Sequence, residues 1–195
     1  MANFYPFLAY VFVTTFTPGP NNIMAMSNAM RYGYKRTIGF LLGMTVGFMI
    51  VMLLSGLLNV MLVGLLPQVR FWLNLLGAVY MVYLAIHIVL SKPAEENTIG
   101  SDLNSFAAGF MMQFINLKGI LYGVTVFSMF IVQTYQNLII VSLFAPLLAF
   151  IGFIAVSSWA LGGNIFRKLL HKYNRPFNFV MGTLLIYTAV ASLIH

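Results

Sequence analysis

Two short stretches hold the residues of this sequence whose types and spacing suit chemistry. The first, Thr17-Pro18-Gly19-Pro20-Asn21-Asn22, interrupts a long apolar run. Proline lacks a backbone N–H and clashes with the preceding turn, and glycine is torsionally free, so Pro18-Gly19-Pro20 cannot continue a regular helix. Asn21 and Asn22 then open a second half-helix, where free N–H groups and the helix dipole favour a carboxylate. The second stretch runs from Gln113 through Asn116 and Lys118 to Tyr122. Lys118 is the one formal charge deep inside an apolar run, about 18 Å along a helix that starts near Phe106. An ammonium there needs a wet cavity or a partner. Gln113, Asn116 and Tyr122 flank it at helical spacings, placed to orient an amino group or a side chain. Glu95, Glu96 and Asp102 all fall outside the apolar interior, so the anion that answers Lys118 is either a ligand or absent. The plainer alternatives are a proline kink, common in membrane helices, and a lysine that bonds freed carbonyls or snorkels to an interface. A polar face on Gln113 and Asn116 can equally serve helix packing.

The elements that must position these residues are membrane spans. Hydrophobic residues make up 61% of the 195 and charged ones 7%, and the mean hydropathy is +0.94; this is a polytopic membrane protein of one domain, 1–195, with lipid as its surroundings. Runs of about 20 apolar residues are needed to cross the bilayer. Six candidates fit: 4–30, 38–66, 71–90, 106–132, 138–161 and 177–194. The expected fold is all-α with six transmembrane helices. Because each half holds three spans, the halves would be inverted repeats, with the first helix broken. Phe114 and Asn116 stand at the same offset as Phe16 and Pro18, which weakly supports the repeat.

Lys and Arg set the orientation. Arg31, Lys35, Arg36, Lys92, Arg167, Lys168, Lys172 and Arg175 fall in loops on one side, and only Arg70 on the other. Both termini are therefore expected outside the cytoplasm. The basic pI of 9.8 needs no nucleic acid, since these charges sit beside spans facing anionic lipid. The start, from Met1 to Pro6, lacks a basic n-region and a cleavage site and reads as the approach to the first span.

Enzyme chemistry has little material. The chain has no cysteine, three histidines and three carboxylates, and no HExxH, GxSxG or GxxxxGK[ST] pattern. No metal or cofactor is expected. His87, near the end of the third run, suits a proton relay or an ordinary interfacial position. Gly39, Gly43 and Gly47 form a small-residue stripe that admits a close helix, within the chain or across a dimer.

Together these residues resemble the LysE/RhtB amino-acid exporters, small six-span proteins of bacterial inner membranes. The likeness rests on Thr17-Pro18-Gly19-Pro20-Asn21, on Gly33, Gly43 and Gly47, and on Asn116 and Lys118, and it covers the whole chain. Many members carry Asn-Pro-Lys where this chain has Asn116-Leu117-Lys118. The stretch from Gln113 to Thr125, with Trp159-Ala160-Leu161-Gly162-Gly163, looks most like the branch that exports cysteine and O-acetylserine. The resemblance implies export of small amino acids in exchange for protons. Lacking an intramembrane carboxylate, such coupling would fall to Lys118. Export of homoserine, threonine or lysine, and a passive channel, are the competing expectations.

Overall fold

The computed structural model describes residues 4–17, 19–65 and 104–194, with scattered positions between 72 and 90. Pro18, Arg70, His87, Lys92, Glu95, Glu96 and Asp102, and most of the 71–90 run, lie outside the described residues. The described elements are helical: α1 (Phe4–Phe16), α2 (Pro20–Tyr32), α3 (Tyr34–Leu65), α4 (Phe106–Ile115), α5 (Leu117–Val126) continued by a π-helical turn at Phe127–Ile131, and α6 (Leu138–Ile194).

Local chemistry sets the helix ends. Gly19 is the N-cap of α2 and Pro20 its first residue, a position where the missing N–H is harmless and the ring's φ already fits. Gly33 ends α2 at φ 80, donating its N–H to Ala29 O; this is the left-handed region that glycine adopts without strain. Ser105 caps α4 by accepting from Ala108 N at 3.1 Å. The Asn137 carboxamide does the same for α6, accepting from Ile139 N at 2.9 Å.

Two stretches, Tyr34–Leu62 and Leu138–Gly163, are long and apolar enough to cross a membrane. A third is the bent pair Phe106–Ile115 and Lys118–Ile131, whose halves meet at 64°. Their outer faces are apolar: Leu54, Leu58, Leu143, Phe150 and Leu161 are all exposed, as lipid-facing residues must be. The sequence places a break across 167–176, yet the backbone there is helical and leaves helical geometry only at Tyr173, φ −122 and ψ 25. Pro176 explains the position, since its ring crowds the carbonyl four residues back and the chain yields beside it.

Buried apolar residues form two clusters. One holds Tyr10, Val13, Met52, Tyr122, Phe127 and Leu148; the other holds Met24, Ala25, Phe40, Met44, Val156 and Ala160. Each of α3 and α6 contributes to both. Between the clusters, buried Thr17, Asn22, Gln113 and Asn116 form a polar layer. Helices α3 and α4 approach closely through glycine. A Cβ at Gly43 would collide with Phe106 O, one at Gly109 with Phe40 O, and one at Gly47 would lie 2.6 Å from Phe110 O. Gly39 has nothing within 4 Å and takes no part in that seam.

Candidate functional site

The polar layer is where two helix breaks meet. At the first, the end of α1 leaves carbonyls with no helical partner, and side chains take them up. Asn22 Nδ2 reaches back from α2 to donate to Thr15 O and Thr17 O, both at 2.9 Å. Trp159 Nε1 donates to Phe16 O at 3.1 Å. Lys118 Nζ donates to Thr17 O at 3.2 Å and to Thr17 Oγ1 at 3.1 Å. Gly19 makes that approach possible, because a Cβ there would stand 2.9 Å from Lys118 Nζ. Its φ of −165 is ordinary extended backbone, so space, not torsion, is what requires glycine.

The second break has no proline. Asn116, at φ −78 and ψ 90, ends α4 and caps α5, its Oδ1 accepting from Gly119 N at 3.3 Å. One turn earlier, Gln113 Oε1 accepts from Asn21 Nδ2 at 2.8 Å, and Gln113 Nε2 donates to Asn21 Oδ1 at 3.3 Å. Gln113 Nε2 also donates to Gly109 O at 3.2 Å. Two ties therefore cross between the breaks, Lys118 to Thr17 and Gln113 to Asn21.

A cavity opens beside these ties, with about 560 Å³ of empty space when its open mouth is included. The first break lines it with Thr14, Thr15, Gly19, Pro20, Asn21 and Asn22. Asn116, Lys118, Gly119 and Tyr122 come from the second, and Met44, Thr45 and Phe48 from α3. Helix α6 presents Ala149, Gly152 and Val156. Lys118 is the single charged residue of this lining, so the cavity favours an anionic group beside otherwise neutral walls. Among the described residues no group of three or more His, Asp or Glu is placed to hold a metal.

From the lining residues Phe48 and Tyr122, a chain of aromatic contacts runs to residues nearer the start of α1. Tyr122 stacks on Tyr10 with centroids 5.5 Å apart, and Phe48 leans on Tyr122 at 5.8 Å. Tyr10 also stacks on Phe130 at 5.7 Å, and Phe7 meets Phe130 edge-on at 5.9 Å. The Tyr122 side chain is further paired with Thr15.

Of the residues singled out in the sequence, Gly19, Pro20, Asn21, Asn22, Asn116, Lys118 and Tyr122 line the cavity. Thr17 and Gln113 stand just behind, each bonded to a lining residue. Pro18 lies outside the described residues. Sequence reasoning missed Thr14, Thr15, Thr45, Phe48 and the α6 wall. One signal existed, the small residues Ala149 and Gly152 at i, i+3, one helical face. Trp159 was another, since a buried indole N–H needs an acceptor.

Comparison with known proteins adds a family. Residues 12–195 match the model of the LysE type translocator. The chain is 42% identical over 184 residues to the cysteine/O-acetylserine efflux protein of Escherichia coli O139:H28, covering 94% of both chains. It is 41% identical, over the same share of each, to the proteins of that name from Escherichia coli strain K12 and Shigella flexneri serotype 5b. No solved structure gives a significant match.

Proposed function

This chain belongs to the LysE type translocator family, and on that premise we propose that it exports small amino acids, cysteine and O-acetylserine foremost, across a bacterial inner membrane. The observation that carries the reading is Lys118, the one charge in a cavity lined from two broken helices. Relatives named for cysteine and O-acetylserine efflux, at 41–42% identity over 94% of the chain, supply the substrate class.

In this reading the carboxylate of the substrate takes Lys118, with the start of α2 at Asn21 and Asn22 completing its cradle. The ammonium is now held by the neutral oxygens of Thr17. A carboxylate makes a charge-assisted bond roughly twice as strong as a neutral one, so substrate competes for Lys118 and loosens one of the two ties between the breaks. Occupancy thereby favours rocking of one helix bundle against the other, which is alternating access. The architecture that suits this motion is six spans in two inverted three-helix repeats, with both termini outside. On that orientation the stack of Phe48, Tyr122, Tyr10 and Phe130 closes the path toward the outside, and substrate enters from the cytoplasm.

Coupling to protons completes the proposal. With no carboxylate in the cavity lining, Lys118 is the group that would release a proton on one side of the membrane and regain it on the other. Counterflow in proteoliposomes tests the whole reading. Saturable exchange of cysteine or O-acetylserine, accelerated by an imposed pH gradient, is the expected result. Exchange confined to threonine or lysine would change the substrate, flux without exchange would make the protein a channel, and indifference to the gradient would remove proton coupling.

A further inference from the structure

Most polar side chains around the cavity are already committed. Asn21 and Gln113 bond each other, Asn22 serves Thr15 O and Thr17 O, Asn116 Oδ1 caps Gly119, and the Thr45 hydroxyl donates to Leu41 O at 2.8 Å. Thr14 differs. It lines the cavity, is 3% exposed, and its Oγ1 has no hydrogen-bond partner among the described residues. Burying a hydroxyl that bonds nothing is costly, and native interiors rarely leave one so without a use.

Position supplies the use. Thr17 directly follows α1, its N–H still donating to Val13 O and its Oγ1 to Thr14 O at 3.3 Å, so Thr14 and Thr17 lie about one turn, roughly 4.5 Å, apart along the helix. Thr17 Oγ1 is 3.1 Å from Lys118 Nζ, so Thr14 stands about one helical turn from the cation. An α-amino acid whose carboxylate sits on Lys118 carries its ammonium two bonds beyond the carboxylate carbon, a span that one turn accommodates. An ammonium needs acceptors; Thr15 O and Thr17 O each already accept from Asn22, whereas Thr14 Oγ1 accepts from no described residue.

We propose that Thr14 Oγ1, covered in this structure and uncovered when substrate draws Lys118 from Thr17, accepts a hydrogen bond from the α-ammonium of the substrate, so that Thr14 lets the site tell an amino acid from a plain carboxylic acid. This rests on the carboxylate role given to Lys118. The closing experiment is cysteine counterflow by wild type, Thr14→Val and Thr14→Ser, with 3-mercaptopropionate, which is cysteine without its amino group, as competitor. In Thr14→Val the half-saturating cysteine concentration rises about tenfold while inhibition by 3-mercaptopropionate stays within about twofold, and Thr14→Ser remains close to wild type. Unchanged cysteine affinity in Thr14→Val, or equal weakening of both compounds, overturns the inference. Should Thr14→Val fail to insert in the membrane, Thr14→Ala makes the same comparison. A wild-type protein that exchanges no amino acid sinks the transport reading and this inference together, whereas exchange that ignores Thr14 sinks this inference alone.

Discussion

The two helix breaks that meet at the cavity are built from different chemistry. Between α1 and α2 the interruption is covalent in origin: Gly19 and Pro20 stop one helix and start the next, whatever surrounds them. Between α4 and α5 it is a matter of side chains, with Asn116 capping α5 after leaving helical geometry at ψ 90. The first break is thus intrinsic, and the second depends on what Asn116 can bond. On the proposed reading, function is divided the same way. The rigid break presents carbonyls and the start of a helix, and the conditional break carries the charge. A transporter that must exchange one set of contacts for another has reason to place its mobile cation on the break that side chains hold.

That contrast can be attacked directly. The largest effect should come from Lys118→Ala, which removes the cation and the ties to Thr17; exchange should fall at least about a hundredfold with normal membrane yield, since a truncated charge contact of this kind costs roughly 3 kcal/mol or more. Loss of insertion instead would mean that Lys118 serves the fold. Gly19→Ala comes next. Its new Cβ would crowd Lys118 Nζ and Cδ, the end of a flexible side chain, so stability should drop by less than about 1 kcal/mol while exchange falls roughly tenfold as the ammonium is displaced.

Smaller effects separate the breaks themselves. Asn22→Ala leaves Thr15 O and Thr17 O without its two bonds and should cost about 1–3 kcal/mol in a thermal melt in detergent. Asn116→Ala loses one cap and should cost about 1 kcal/mol. If Asn116→Ala proves the more damaging, the conditional break is also the main structural one. The smallest change is expected from Leu117→Pro. Leu117 is the first residue of α5, where proline is favoured, and Asn116, at φ −78 and ψ 90, is already outside the α region that a residue before proline avoids. Stability should rise by about 0.4–1 kcal/mol, making the second break as intrinsic as the first. A slower exchange rate at equal substrate affinity would then show that transport uses the freedom that leucine leaves.

Much of this site was legible in the residues. Pro18-Gly19-Pro20 announces a break because its chemistry is local, and Lys118 announces a polar interior because an ammonium among apolar residues demands one. The second break was less visible. Asn116 reads as polar, but a cap that interrupts a helix looks the same in sequence as one that decorates its surface. Gly39, Gly43 and Gly47 made one stripe in the sequence, yet only Gly43 and Gly47 meet α4, since spacing says which residues share a face and not how far a neighbour extends along it. The segment 167–176 reads as a loop from its charges and Pro176, but charged residues at a membrane surface can stay helical, and only Tyr173 departs.

What the sequence alone determined is whatever follows from short range and composition: apolar helices, an unavoidable interruption at Gly19 and Pro20, and a cation without an acidic neighbour along the chain. Only the tertiary structure decided that Lys118 donates to Thr17, 101 residues away, that Gln113 answers Asn21 across 92, and that the hydroxyl of the cavity-lining Thr14 is buried without a partner among the described residues. Hydrogen bonds act over about 3 Å, and which groups come within that distance is set by how helices pack, not by how far apart their residues stand in the chain.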